Sequence, residues 1–161
     1  MPVMRAITFE SPLHVSVTTV ADPEILAPGD AIVRVERTAI CGSDLHVYHG
    51  RETGLDAGTI LGHEFLGEVV ARGRDTRLPI GARVVSPFTT SCGACFFCRE
   101  GLTARCDRGQ LFGWVAKGQG LHGAQCELVR VPLADSTLVR VPVEVDGDAA
   151  LFVGDILATG W

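Results

Sequence analysis

Four cysteines are crowded into one short loop, and no other feature of this chain restricts its folding so tightly. Cys92, Cys95, Cys98 and Cys106 are spaced C-x2-C-x2-C-x7-C between Ser91 and Asp107. Thiolates this close in sequence can surround one ion at the roughly 2.3 Å that tetrahedral zinc requires. The segment must then wrap on itself rather than run on as a helix or strand, and Gly93 and Gly101 let it turn. Arg99, Arg105 and Arg108 would offset the roughly −2 charge of a zinc held by four thiolates. Two disulfides or idle thiols are the alternative. Nothing else in the chain points to secretion, and a two-residue spacing suits a metal better than a bridge. With all four positions filled by protein, such a site is closed and braces a loop. It is not a catalyst.

Around this loop the pattern is β. Leu13, Val15 and Val17 alternate with His14, Ser16 and Thr18, the two-residue period of a half-buried strand, which puts the apolar residues inward. Turns are expected at Asp22-Pro23 and Ala27–Asp30, and strands at Ala31–Arg37, Glu64–Ala71, Gly81–Ser86, Gln125–Pro132 and Leu138–Pro142. Short strands separated by turn signals favour an antiparallel barrel or sandwich. With 161 residues there is room for one ordinary domain. One helix is expected from Asp148, as its N-cap, to about Thr159. That near-wholly apolar ending, through Trp161, points to truncation. A net charge of −5 disfavours a nucleic-acid or anionic-membrane surface. The N-terminus lacks an apolar signal core and no run is long enough to span a membrane. A soluble protein of a reducing compartment, the cytoplasm, is expected.

A second constellation is more open. Cys41-Gly42-Ser43-Asp44-Leu45-His46 precedes Gly62-His63-Glu64. Cys41 and His63 are good zinc ligands, Ser43 and His46 can pass a proton, and Asp44 and Glu64 could orient ligands. Taken singly, a His is usually a surface or satisfied core residue and a Cys usually a small buried hydrophobe, so spacing alone favours that reading over a metal site. Asp155 adds an independent pointer. It is expected to be buried among Phe152, Val153, Ile156 and Leu157, where a carboxylate needs a partner, a metal being one and backbone N–H groups another. If Cys41, His63 and Asp155 converge, three protein ligands leave a fourth zinc position free, the pattern of a catalytic site.

With these residues in view the sequence resembles the zinc-dependent medium-chain alcohol dehydrogenase family, over essentially the whole chain. The segments that carry the resemblance are Ile40–Gly50, Gly62–Gly73, Gly81–Phe88, the four-cysteine loop and Gly154–Trp161. It implies the N-terminal catalytic domain of that family, an irregular GroES-like β-barrel with short helices. It also implies Cys41, His63 and Asp155 at a catalytic zinc with Glu64 beside it, and a structural zinc on Cys92, Cys95, Cys98 and Cys106. Ser43 and His46 would carry the alcohol proton to solvent, and Asp44 would hold a ligand imidazole. Asp155 stands where many members have a second cysteine, as in the branch that resembles glutathione-independent formaldehyde dehydrogenases.

The expected reading is therefore the catalytic-domain portion of a nicotinamide-dependent alcohol or aldehyde oxidoreductase with two zinc ions per chain. NAD or NADP enters only in a full-length enzyme, because no nucleotide-binding domain is evident here. Residues 148–161 would begin the connection to it. Gly118-x-Gly120-x-x-Gly123 imitates a dinucleotide fingerprint, but Gln125–Pro132, directly after it, reads as a strand and not a helix. Two alternatives are a stand-alone zinc-braced interaction module without catalysis, and a half-enzyme needing a separate nucleotide-binding partner. An oligomer is left open. Cys126 is expected to be a core thiol.

Overall fold

A computed structural model describes residues 2–161. In chain order the elements are β1 (Val3–Ser11), β2 (His14–Ala21), β3 (Ala31–Thr38), α1 (Gly42–Tyr48), β4 (Thr59–Ile60), β5 (Phe65–Arg72) and β6 (Arg83–Ser86). Then come α2 (Phe96–Arg99), the hairpin of β7 (Trp114–Ala116) and β8 (Gln119–Leu121), β9 (Leu128–Val131), α3 (Ala134–Thr137), β10 (Val139–Arg140), α4 (Gly147–Val153) and α5 (Ile156–Gly160). A five-stranded antiparallel sheet runs β10-β6-β5-β3-β9, and a smaller one runs β2-β1-β4. The mainly antiparallel β architecture matches the sequence expectation.

The core lies against the larger sheet, where Val33, Phe65, Val69, Val84, Val129 and Val131 are buried from four different strands. Phe112 meets Phe65 edge to face with ring centroids 5.3 Å apart, the geometry that aligns a ring edge with a π face. Cys126 packs between this cluster and the Met4–Ala6–Ile60 cluster. Burial pushes its thiol up to about 12.

Two expectations need correction. The alternation at Leu13–Thr18 has the right period but the opposite face. Val17 is 73% exposed, while Ser16 and Thr18 are half-buried. The reason is register. Thr8, Ala6 and Met4 of β1 point inward and pair with Ser16, Thr18 and Val20 of β2. The buried Thr8 hydroxyl bonds the Thr18 hydroxyl at 3.1 Å, so polar residues on β2 satisfy a polar residue on β1.

The terminal helix is not continuous, and Asp148 is not its cap. Asp146 is the N-cap of α4 and accepts from the N–H groups of Asp148 and Ala149 at 2.9 and 3.2 Å. The chain then breaks at Gly154-Asp155 before α5. Gly154 passes so close to β6 that a Cβ there would lie 2.5 Å from the Ser86 carbonyl oxygen. Gly154 itself keeps helical angles, and Asp155, at φ −145 and ψ −65, is the residue that leaves helical geometry. Its expected apolar neighbours Phe152, Val153, Ile156 and Leu157 are all exposed.

Gly118, Gly120 and Gly123 lie in and after the β7–β8 hairpin, and the next regular element is β9. No helix among the described residues is long and apolar enough to cross a membrane.

Candidate metal centres

The first centre is the cysteine loop. Cys95 precedes α2, Cys98 lies within it, and positive φ at Gly93 and Gly101 closes the turns on either side. The sulfurs of Cys92 and Cys98, and those of Cys95 and Cys106, are 4.0 Å apart. Tetrahedral ligands at 2.3 Å from one ion would be about 3.8 Å apart, and all four sulfurs lie within 4.8 Å of one another. The six cysteines of the chain are unbridged. The hydrogen bonds to this cluster come from backbone N–H groups and not from arginine side chains. Ala94 and Cys95 donate to Cys92 Sγ at 3.5 and 3.3 Å, and Cys92 and Arg108 donate to Cys106 Sγ at 3.2 and 3.4 Å. The two donors to Cys92 lower its thiol to about 6, while burial and the neighbouring Cys95 push Cys98 up to about 11, so the backbone favours the thiolate at one of these two positions and not the other.

The second centre collects four side chains from three places in the chain. Cys41 sits at the N-cap of α1, where Asp44 Oδ2 accepts its N–H at 2.8 Å. His63 comes from the short connection between β4 and β5. Gly62 enters it at φ +93, and a Cβ there would strike Gln125. The stretch 60–62 is strapped to 123–125 by three backbone hydrogen bonds of 2.8 to 2.9 Å: Gly123 to Ile60, Gln125 to Leu61 and Ala124 to Gly62. Glu64 lies at the entry to β5, and the turn after α4 delivers Asp155.

His63 has its two ring nitrogens turned to different work. Nδ1 lies 3.4 Å from Asp44 Oδ1, while Nε2 lies 3.3 Å from Ser43 Oγ and 3.5 Å from Asp155 Oδ2. Burial lowers the basicity of the ring, but the Asp44 carboxylate and the neighbouring Cys41 outweigh it and raise His63 to about 9. Glu64 is buried and its Oε2 has no hydrogen-bond partner. Burial raises its carboxyl, and the charge of Asp155 raises it further. One ligand atom each from Cys41, His63, Glu64 and Asp155 fall within 4.8 Å of one another.

A thiol, an imidazole and two carboxylates converging below the surface, one oxygen of them unpartnered, form a donor set that fits a divalent cation with zinc's N, O and S preferences. Ser43, Val47, Leu61, Phe88, Leu111, Phe112 and Thr159 line the adjoining cavity of about 320 Å³, with His63 and Asp155 in its wall. Its apolar side is suited to a small organic molecule.

Every sequence-expected residue of this centre except His46 is brought together. His46 lies on the exposed side of α1 with Nδ1 3.8 Å from Glu52 Oε1, and it has no hydrogen bond to Ser43. Sequence reasoning missed the cavity wall at Phe88, Leu111 and Phe112. It also missed Thr159, whose hydroxyl donates to Asp155 Oδ1 at 2.9 Å. The four-residue spacing on one helix was the available signal for that pair.

Comparison with known proteins bears on this geometry. Residues 27–143 match the alcohol dehydrogenase GroES-like domain. Over 98% of its length the chain is 45% identical to a medium chain reductase/dehydrogenase, ucsI, of Acremonium, and spans 53% of that protein. It is 36% identical over 98% of its length to the glutathione-independent formaldehyde dehydrogenase of Pseudomonas aeruginosa, spanning 43% of it. Among solved structures, alcohol dehydrogenase TADH from Thermus sp. ATN1 superposes with a TM-score of 0.90 at 43% identity, covering 97% of this chain and 45% of that one. The chain belongs to the alcohol dehydrogenase GroES-like domain family. It spans about half the length of the curated relatives it matches.

Proposed function

We propose that the chain is the metal-binding catalytic part of a zinc-dependent oxidoreductase that interconverts an alcohol and its carbonyl compound, with a nicotinamide dinucleotide as hydride acceptor. The observation that carries this reading is the convergence of Cys41, His63, Glu64 and Asp155 within 4.8 Å, beside a cavity. Cys41, His63 and Asp155 would hold the metal, with Glu64 alongside. Zinc, when bound, supplies Lewis acidity that eases ionisation of a neighbouring hydroxyl.

The remaining steps belong to the chain's own side chains. Asp44 fixes the His63 ring so that Nε2 faces the cavity, the usual task of a carboxylate behind a ligand imidazole. Ser43 Oγ, within 3.3 Å of that nitrogen, stands where a substrate hydroxyl would give up its proton. His46, half-exposed one turn further along α1 and without a hydrogen bond to Ser43, would take the proton on to solvent only through a bridging water. Phe88, Leu111, Phe112 and Leu61 would give a bound alcohol an apolar wall. NAD or NADP would be held by a nucleotide-binding domain of the full-length enzyme. Residues 148–161 are then the approach to it. The four-cysteine site would hold a second, structural zinc and take no part in the reaction.

The test is metal content after exhaustive dialysis from excess zinc. Two equivalents are expected in the unsubstituted chain, and one in Asp155→Ala, with the cysteine-loop zinc retained. A single equivalent in the unsubstituted chain refutes the enzyme reading and leaves a zinc-braced interaction module.

A further inference from the structure

We propose that Thr159 is a positioning residue for the second metal centre, fixing which oxygen of Asp155 is presented to the metal. The inference rests on the metal-binding reading above and deepens it. Asp155 occupies the N-cap position of α5, where an aspartate ordinarily folds back to accept the helix's first free N–H groups. Here it makes no such bond. Its carboxylate points into the site instead, with the side chain 14% exposed and Oδ2 3.5 Å from His63 Nε2.

A carboxylate freed from its helix can rotate about its last bond and offer either oxygen, or both, to a cation. Thr159 removes that freedom. One turn along α5, its hydroxyl donates to Oδ1 at 2.9 Å, and its N–H donates to the Asp155 carbonyl oxygen at 3.0 Å. One lone pair of Oδ1 is thereby engaged, and Oδ2 is the atom left facing the ring nitrogen. A metal held here would then meet Asp155 mainly through Oδ2, beside the cavity that Thr159 itself lines.

The experiment compares the unsubstituted chain, Thr159→Val and Thr159→Ser, loaded with Co²⁺ and titrated with zinc against a competing chelator. The cysteine-loop metal, with its thiolate charge-transfer absorption, serves as an internal control for folding. Thr159→Val, nearly the same size but without the hydroxyl, should weaken the second equivalent by about 10- to 100-fold. Its visible Co²⁺ bands should also lose intensity, as the carboxylate binds through both oxygens and coordination rises above four. Thr159→Ser should restore both properties. Equal affinity and an unchanged spectrum in Thr159→Val overturn the positioning role while leaving the metal centre standing. Uptake of only one equivalent by the unsubstituted chain overturns the centre itself and this role with it.

Discussion

Replacing Gly123 by alanine should damage one metal centre and spare the other. A Cβ on residue 123 would lie 2.3 Å from the carbonyl oxygens of both Leu61 and Gly62. Real contacts of this kind do not fall below 3.0 Å. In a close-packed interior that passes strain on, the segment before His63 must therefore retreat by about 0.7 Å. Overpacking of this kind costs about 1–3 kcal/mol. The same displacement stretches the three backbone bonds that strap 60–62 to 123–125, each worth about 1 kcal/mol. The total loss is about 2–4 kcal/mol, or about 1–2 M in urea midpoint for a typical slope. His63 moves with its neighbours, so the variant should lose the Cys41–His63–Asp155 metal or bind it at least about tenfold more weakly. Gly118→Ala is the control. Nothing lies within 4 Å of its Cβ, so only left-handed strain of about 1–2 kcal/mol is at stake, and both metals should remain. Urea unfolding followed by fluorescence, with zinc content measured on the same samples, reads both effects. A Gly123→Ala protein that unfolds within about 0.5 kcal/mol of the parent and keeps two equivalents would refute this coupling.

Phe112→Ala should cost about 3–5 kcal/mol, because the ring is buried edge to face against Phe65; calorimetry would detect it, and a change below about 1 kcal/mol would contradict this packing. Asp135 gives a pH signature. Burial raises its carboxyl, but the N–H and guanidinium of Arg77 and the N–H of Leu78 outweigh this and hold it below its ordinary value of 3.8. A lowered folded-state value means the stabilisation is present above the unfolded value and lost as pH falls through the folded one. Asp135→Asn should therefore be less stable than the parent at pH 6, with the difference shrinking below about pH 4; a pH-independent difference would refute the assignment.

The sequence was legible where one residue type has one physical use. The cysteine loop could be read because four thiols at those spacings have little else to do, and β3, β5 and β6 because their apolar runs are buried as written. It was misleading at β2, where the inward face is chosen by pairing with β1 and not by the hydropathy of β2 itself. The Cys41–Asp44 and His63–Glu64 segments were visible as pairs, but their meeting with Asp155 depends on a helix break. At that break Gly154 lies against the Ser86 carbonyl, a long-range approach that no local propensity encodes. The cavity wall went unread for the same reason, since Phe88, Leu111 and Phe112 are ordinary core-type residues until the fold turns some of their surface toward His63.

Asp44 carries one further consequence. One of its oxygens closes the first turn of α1 at the Cys41 N–H, and the other faces the His63 ring. The strength of a helix end and the aim of an imidazole from the distant β4–β5 connection are thus tied to the two oxygens of a single carboxylate. A substitution that removes the carboxylate at position 44 therefore loosens the helix end and the imidazole together.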